Sequence, residues 1–410
     1  MNTRFSAVFA FGRKLSLSVV IYAAGLASLL FADFLVINNL EPEQITDWAV
    51  FRSLVGIAAI LPLAGLDQVL VRSPRSSARL LKILLVQVPI VGGALGVVIA
   101  LLGFVPNWWT GAGLALGSAL SLALFQYFRS HHHRVLSQIS QQGWKIAALA
   151  FLFWLVWSGA DADLLLSGVC LILLVNIIGL AALAHLRPGR LHTQNPEPAK
   201  DLYSIGLRFM VTAQFLALSV YAEQLVVNRL GSTEEAALYF AAATYLLFPA
   251  SFCNGYIAFV IGPWIRDNHD RFLAALKKYR FGLLIGICVY AVVLSLIGWL
   301  GWILTSPAVG AFNHGLQLIF VVSVAMRTSY VIPSGYVGVF GTPRQHDALI
   351  ASQALALAVG VALFTSLWGN GLELIYAVGA ASAANLALRA ITGYWVMALI
   401  ARSRGAADEQ

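Results

Sequence analysis

The chain has 410 residues, 60% of them hydrophobic and only 11% charged, with a mean hydropathy of +0.81. That composition lacks the polar surface a soluble domain of this length must present to water, so a soluble fold is excluded and a polytopic membrane protein is expected. The net charge of +8 reflects membrane topology and contact with anionic lipid, and says little about nucleic acid.

A helix needs about 20 apolar residues to cross a hydrocarbon core of roughly 30 Å. Twelve such stretches are predicted, near 15–38, 46–71, 80–104, 108–129, 136–158, 162–186, 205–229, 234–265, 278–304, 312–340, 346–368 and 373–401. The expected fold class is therefore all-α, with twelve transmembrane helices. Arg4, Arg13 and Lys14 ahead of the first stretch give it the layout of a secretory signal. An internal repeat argues against cleavage. Residues 32–40 read ADFLVINNL and residues 222–230 read AEQLVVNRL. An acid (Asp33, Glu223), a Leu-Val pair, an Asn (Asn38, Asn228) and a Leu (Leu40, Leu230) recur in register. The register extends back through Phe31/Tyr221, Ala27/Ala217, Leu26/Leu216 and Ala23/Ala213 to Tyr22 and Thr212. Weak symmetry at half the chain length is the mark of duplicated transporters.

The first predicted span leads through the acidic loop EPEQITD into the second. Basic residues then alternate from loop to loop: Arg72, Arg75, Arg79 and Lys82 after span 2, Arg129 and Arg134 after span 4, and Arg187, Arg190 and Lys200 after span 6. Arg266, Arg271, Lys277, Lys278 and Arg280 follow span 8, Arg344 follows span 10, and Arg402 and Arg404 end the chain. The intervening loops, such as PNWW and SGADAD, are neutral or acidic, and Arg229 breaks the pattern. Both termini are expected in the cytoplasm, because cytoplasmic loops retain Lys and Arg. Trp48, Trp108, Trp109, Trp154, Trp157, Trp299, Trp302 and Trp368 fall at the opposite ends of the spans, as an interfacial belt.

Between spans 6 and 7 the polar segment HLRPGRLHTQNPEPAKDLYS carries three prolines. It divides the chain into two pseudo-symmetric six-helix lobes, 1–187 and 204–410, joined by a cytoplasmic linker at 188–203. Cys170, Cys253 and Cys288 all fall within apolar helices, where they read as small buried hydrophobes with no disulfide expected. Pro62, Pro89, Pro249 and Pro333 lie inside predicted helices, and Pro62 and Pro249 hold comparable places in spans 2 and 8. Two readings stand for them, hinges or static kinks.

No catalytic signature emerges. The chain has no glycine-rich phosphate loop followed by Lys and Ser/Thr, and no Cys/His set has metal-ligand spacing. His131, His132 and His133 are consecutive on a helix, so they point about 100° apart and cannot converge on one ion; they read as an interfacial basic cap. Neither enzyme activity, a metal nor a cofactor is expected. The short loops argue against a membrane-embedded glycan polymerase or glycosyltransferase.

The segment NNLEPEQITDWAVFRSLVGIAAILPLAGLDQVLVR, residues 38–72, resembles the first hairpin of Wzx-type polysaccharide flippases of the multidrug/oligosaccharidyl-lipid/polysaccharide exporter superfamily. The shared elements are the acidic outer loop, the small residues of the second helix, the Gly-Leu-Asp-like element at Gly65, Leu66, Asp67 and Gln68, and Arg72 at the exit. Residue-level resemblance is confined mainly to spans 1, 2, 7 and 8. It implies movement of undecaprenyl-diphosphate-linked oligosaccharide repeat units, of the O-antigen type, across the bacterial inner membrane by alternating access. Its implied partners are that lipid-linked glycan, membrane lipids and other glycan-assembly proteins. A drug/cation antiporter of the same superfamily is the alternative, and would prefer an acidic or aromatic cavity.

The charges inside the spans fit the first reading. Each costs about 2.5–3.5 kcal/mol near the bilayer centre and needs a partner or an aqueous cavity. Arg327 and Arg389 lie near mid-depth, Lys145 among polar residues early in span 5, and Arg52 in the outer third of span 2. Cations lining a cavity suit a diphosphate, and Arg offers it a bidentate fork. For Arg52, pairing with Asp33 is favoured, since at about 1.5 Å per residue the two reach similar depth on adjacent antiparallel helices. Span 8 offers no cation at that depth. Glu223 is therefore expected to stand without an obvious partner, a setting in which a carboxylate takes up a proton or binds a cation. Glu223, with its repeat mate Asp33, is the candidate for coupling to a proton or sodium gradient.

Overall fold

The computed structural model describes residues 2–73, 76–159, 164–186 and 198–408, apart from the side chains of residues 2–16, 78, 183–186, 252, 256, 258–264, 267 and 404–408. Arg75, Arg187, Arg190, most of SGADAD, residues 188–197 of the expected linker and the side chains of Arg4, Arg13, Lys14 and Arg404 lie outside that description. Among the described residues all regular structure is helical. In chain order it comprises α1 (Asn2–Asn39), α2 (Pro42–Ala58), a 3-10 turn (Leu61–Leu63), α3 (Leu66–Arg72), α4 (Ser77–Leu101), α5 (Trp108–Ser130), α6 (Arg134–Ser158) and α7 (Leu164–Leu186). There follow α8 (Ala199–Leu230), α9 (Thr233–Leu246), α10 (Phe248–Asp267), α11 (His269–Thr305), α12 (His314–Phe340), α13 (Pro343–Gly369) and α14 (Leu374–Asp408). Among the described residues eleven helices are long and apolar enough to cross a membrane, and α9 with α10 makes a twelfth if they count as one span bent by 47°.

The helices start where their caps dictate. Ser232 and Glu235 form a reciprocal capping box at α9, the Glu235 N–H donating to Ser232 Oγ (3.2 Å) and the Ser232 N–H to Glu235 Oε2 (2.9 Å). At α2 the Glu41 N–H donates to Gln44 Oε1 (3.2 Å), and Pro42 opens the first turn. These contacts satisfy amides that the first turn of a helix leaves without intrahelical acceptors.

Spans 2 and 8, expected as continuous helices, are both broken. The second stops at Ala58 and passes through a 3-10 turn containing Pro62. It resumes at Leu66 after two left-handed residues, Ala64 (φ 48°) and Gly65 (φ 71°). Proline removes a helix donor and the left-handed pair reverses the local winding, so the ladder cannot continue. Gln87 compensates, its Nε2 donating to the Pro62 carbonyl (2.8 Å) while its Oε1 accepts from the Tyr203 hydroxyl (2.5 Å). Pro249 lies just past the second break, in the first turn of α10. Pro89 and Pro333 instead sit inside unbroken α4 and α12.

The chain divides into two compact units, residues 1–214 and 215–410, and the division falls inside α8. The first half of α8 belongs to unit 1, where Leu202 joins a core with Leu66, Leu84 and Phe128. There Gly206 packs on Gly65, and Phe209 lies under the Arg72 guanidinium, 4.3 Å from its ring centroid. The core of unit 2 gathers Ile265, Phe272, Tyr336, Leu349 and Val396. Exposed apolar faces run along the spans, for example Phe281, Leu284, Ile285 and Val289 on α11, as expected of helices that meet hydrocarbon.

Six of the eight belt tryptophans are exposed, but Trp48 and Trp302 are buried. Cys170 is buried as expected, whereas Cys253 and Cys288 lie on exposed helix faces. His131 closes the end of α5, its ring against Tyr127 with centroids 4.4 Å apart.

Candidate functional site

Each unit has a buried carboxylate held by donors from other helices; unit 1 has a second, Asp67, which accepts from its neighbour Gln68 (2.8 Å). In unit 1 the acid so held is Asp33 on α1. Arg52, nearly three turns into α2, grips it with two parallel bonds, Nε to Oδ1 at 2.9 Å and Nη2 to Oδ2 at 3.1 Å. This is the pairing the helix geometry predicted. Trp48 adds a third donor, its indole Nε1 donating to Oδ1 at 2.7 Å, which explains why this tryptophan left the belt: a buried indole needs an acceptor. Lys145 on α6 donates to the neutral Gln142 Oε1 at 2.7 Å and lies 5.9 Å from the Trp144 ring centroid.

In unit 2 the acid is Glu223 on α8, and the expectation that it lacks a partner is corrected. Arg327, halfway along α12, donates from Nη2 to Oε1 (3.0 Å), Ser382 on α14 donates to the same oxygen (2.6 Å), and the Tyr239 hydroxyl donates to Oε2 (2.5 Å). The cation comes from a helix 104 residues away in sequence, out of reach of any reading of neighbouring spans. Arg389 on α14 is 1% exposed. Its Nη1 donates to the Phe215 carbonyl (2.9 Å) and to Ser219 Oγ, and its guanidinium lies 5.0 Å from the Tyr330 ring centroid. Asn385 Nδ2 also donates to Ser219 Oγ (3.0 Å).

The two nodes match more closely than the sequence repeat alone indicates. The capping boxes at Glu41 and Ser232 fix the register of the second helix in each unit, one residue beyond that of the first helix because the second unit inserts Gly231. In that register Trp48 corresponds to Tyr239, and each donates to its own unit's acid. The caps were the available signal for Tyr239, and the repeat of the first helix alone missed it.

Charge does not balance in the second node. In unit 2 two buried arginines, Arg327 and Arg389, stand against one buried carboxylate, Glu223, among the described residues, and Arg389 has no carboxylate partner there; in unit 1 Lys145 likewise has none among the described residues. Four guanidinium nitrogens, Nε and Nη1 of Arg327 and Nε and Nη2 of Arg389, are buried without an acceptor among the described residues. Buried donors of this kind are costly unless an anion or water meets them. The arrangement can therefore attract and hold an anion. Beside the second node lies a cavity of about 110 Å³ among α8, α13 and α14.

Reversing either charge of the Asp33–Arg52 pair is expected to lower the amount of folded protein in the membrane, and the swapped double variant to recover much of it. Opposite charges in low dielectric are tolerable together and costly apart. Quantitative membrane immunoblots check this, and strictly additive losses would show that the pair contributes nothing as a pair.

No protein-family profile matches the chain, and no curated protein matches it. Among solved structures, the chain is similar to an inward-facing multidrug resistance MATE family transporter of the MOP superfamily, with 14% identity, 95% of this chain and 99% of that chain covered, and a TM-score of 0.54. It is also similar to a chain described only as protein A, with 11% identity, 95% of each chain covered and a TM-score of 0.60. A MATE in a bent conformation aligns over 96% of each chain at 14% identity with a TM-score of 0.47, too low to weigh. At these identities the likeness establishes architecture and nothing finer: the chain has the all-helical membrane fold of a MATE family transporter.

Proposed function

We propose that the chain is a flippase that carries undecaprenyl-diphosphate-linked oligosaccharide repeat units of the O-antigen type across the bacterial inner membrane by alternating access. The observation that carries this reading is the pair of buried arginines in unit 2, Arg327 and Arg389, against one buried carboxylate, Glu223, among the described residues of that unit. A diphosphate carries the complementary charge, and Arg327 and Arg389 hold donors without acceptors with which to meet it. The fold likeness supports transport, and the inward-facing state of that neighbour is one of the two states that alternating access requires.

A drug/cation antiporter is the second reading, favoured by the multidrug substrate class of the same neighbour. Surplus positive charge at mid-depth opposes it, since a cationic drug would be repelled where it must dwell. Within the flippase reading, Glu223 and Asp33 keep a coupling role only by exchanging their arginine for a proton or sodium ion in one conformation, because an ion bound equally in both states drives nothing. Deleting the gene and analysing the lipids tests the proposal. Undecaprenyl-linked repeat units are expected to accumulate on the cytoplasmic face, and normal export with no accumulation would reject it.

A further inference from the structure

The cavity in unit 2 has a cause that can be read from the repeat. In unit 1 the first and fifth helices, α1 and α6, meet at Gly25, where an added Cβ would collide with the side chain of Gln142. The residue in register with Gly25 in unit 2 is Phe215. Any side chain at that position forbids the same approach, so α8 and α13 cannot close as α1 and α6 do. The opening lies one turn further along α8. Ala222, Val226, Leu357 and Phe364 line its apolar side, and Ser219, Asn385, Ser382 and the Arg327-paired Glu223 its polar side.

We infer that this cavity seats one segment of the isoprenoid chain of a polyprenyl diphosphate, next to its charged end. The inference rests on the function proposed above and gives that substrate's chain a place. The wall is apolar, and Val361 at the rim is 55% exposed on a membrane-spanning helix, which gives a hydrocarbon chain a way in. About 110 Å³ accommodates part of a single branched chain, not the paired acyl chains of a phospholipid. The polar side carries the matching signal. Ser219 Oγ accepts from Arg389, placing that unneutralised guanidinium one hydrogen bond from the cavity. A polyprenyl diphosphate joins chain to phosphate with no glycerol between them, so a chain held here keeps its phosphates near that cation.

The test uses the full-length protein purified in detergent and farnesyl diphosphate as probe, read by native mass spectrometry and by the sites labelled by a diazirine-bearing analogue. Wild type is expected to bind, with labels on the α8 and α13 residues that line the cavity. Ala222→Leu, which fills the cavity, is expected to weaken binding about tenfold, the factor that follows when roughly two methylenes lose their place. Should that variant fail to fold, the label map of the wild type decides alone. Labels confined elsewhere, or unchanged affinity in a folded Ala222→Leu variant, would overturn the cavity assignment while leaving the flippase reading intact. Displacement of the probe by equimolar phosphatidylglycerol would overturn it in favour of a phospholipid. Absence of any binding to wild type would overturn both the assignment and the proposed substrate.

Discussion

Replacing Glu223 with alanine is expected to destabilise the protein by about 3–5 kcal/mol, the cost of leaving a buried ion without its counter-charge. The carboxylate accepts from Arg327, Ser382 and Tyr239, which come from α12, α14 and α9. Its removal strands the Arg327 guanidinium and leaves two hydroxyls without their acceptor, while the transfer of the smaller apolar side chain returns little. Removing the charge from both partners, as in Glu223→Ala with Arg327→Leu, is expected to recover most of the loss, because the penalty belongs to the unpaired ion. Denaturant titration in detergent measures both variants. A loss below about 1 kcal/mol for Glu223→Ala, the range of exposed pairs, would show that the node is wet and loosely held.

Gly65→Ala is expected to cost about 2–5 kcal/mol. Gly65 holds φ at 71°, where a Cβ costs roughly 1–2 kcal/mol, and that Cβ would collide with the Gly206 carbonyl, adding overpacking of about 1–3 kcal/mol. The obstacle is backbone on a packed helix and cannot swing aside. Gly206→Ala is expected to act in the same direction with a smaller effect, since its Cβ would meet the Ala64 carbonyl oxygen at 2.7 Å without a change of φ. Thermal melting of the purified variants checks the order. Equal stability of Gly65→Ala and wild type would mean that α8 does not pack against the break in span 2 as described.

What the sequence revealed depended on distance along the chain. The spans were legible because hydrophobic length is a local property, and the Asp33–Arg52 pair because consecutive antiparallel helices place residues at computable depths. Glu223–Arg327 was not legible, since no local rule brings α12 to α8. Pro62 signalled a disturbance in span 2, but the left-handed turn at Ala64 and Gly65 arises from packing against Gly206, a contact between distant segments. Trp48 was misread as interfacial because its position near a helix end looks the same whether the indole meets headgroups or a buried aspartate. The opening beside Glu223 follows from Gly25 against Phe215, a difference visible in the repeat yet without meaning until the closeness of α1 and α6 was known. Positive charge in the spans was visible from the start, and the structure adds how it is placed in unit 2, two buried arginines to one buried acid.

Reconstitution of the purified protein into vesicles with a fluorophore-bearing undecaprenyl-diphosphate saccharide tests the central claim most directly. A membrane-impermeant quencher added outside reads how much of the probe reaches the outer leaflet. The inner-leaflet pool is expected to become quenchable only when protein is present, and Arg389→Gln, which removes surplus charge while keeping a hydrogen-bonding side chain, is expected to slow this without loss of folded protein. A protected inner-leaflet pool that stays constant in the presence of wild-type protein, together with efflux of a cationic dye from the same vesicles, would contradict that claim.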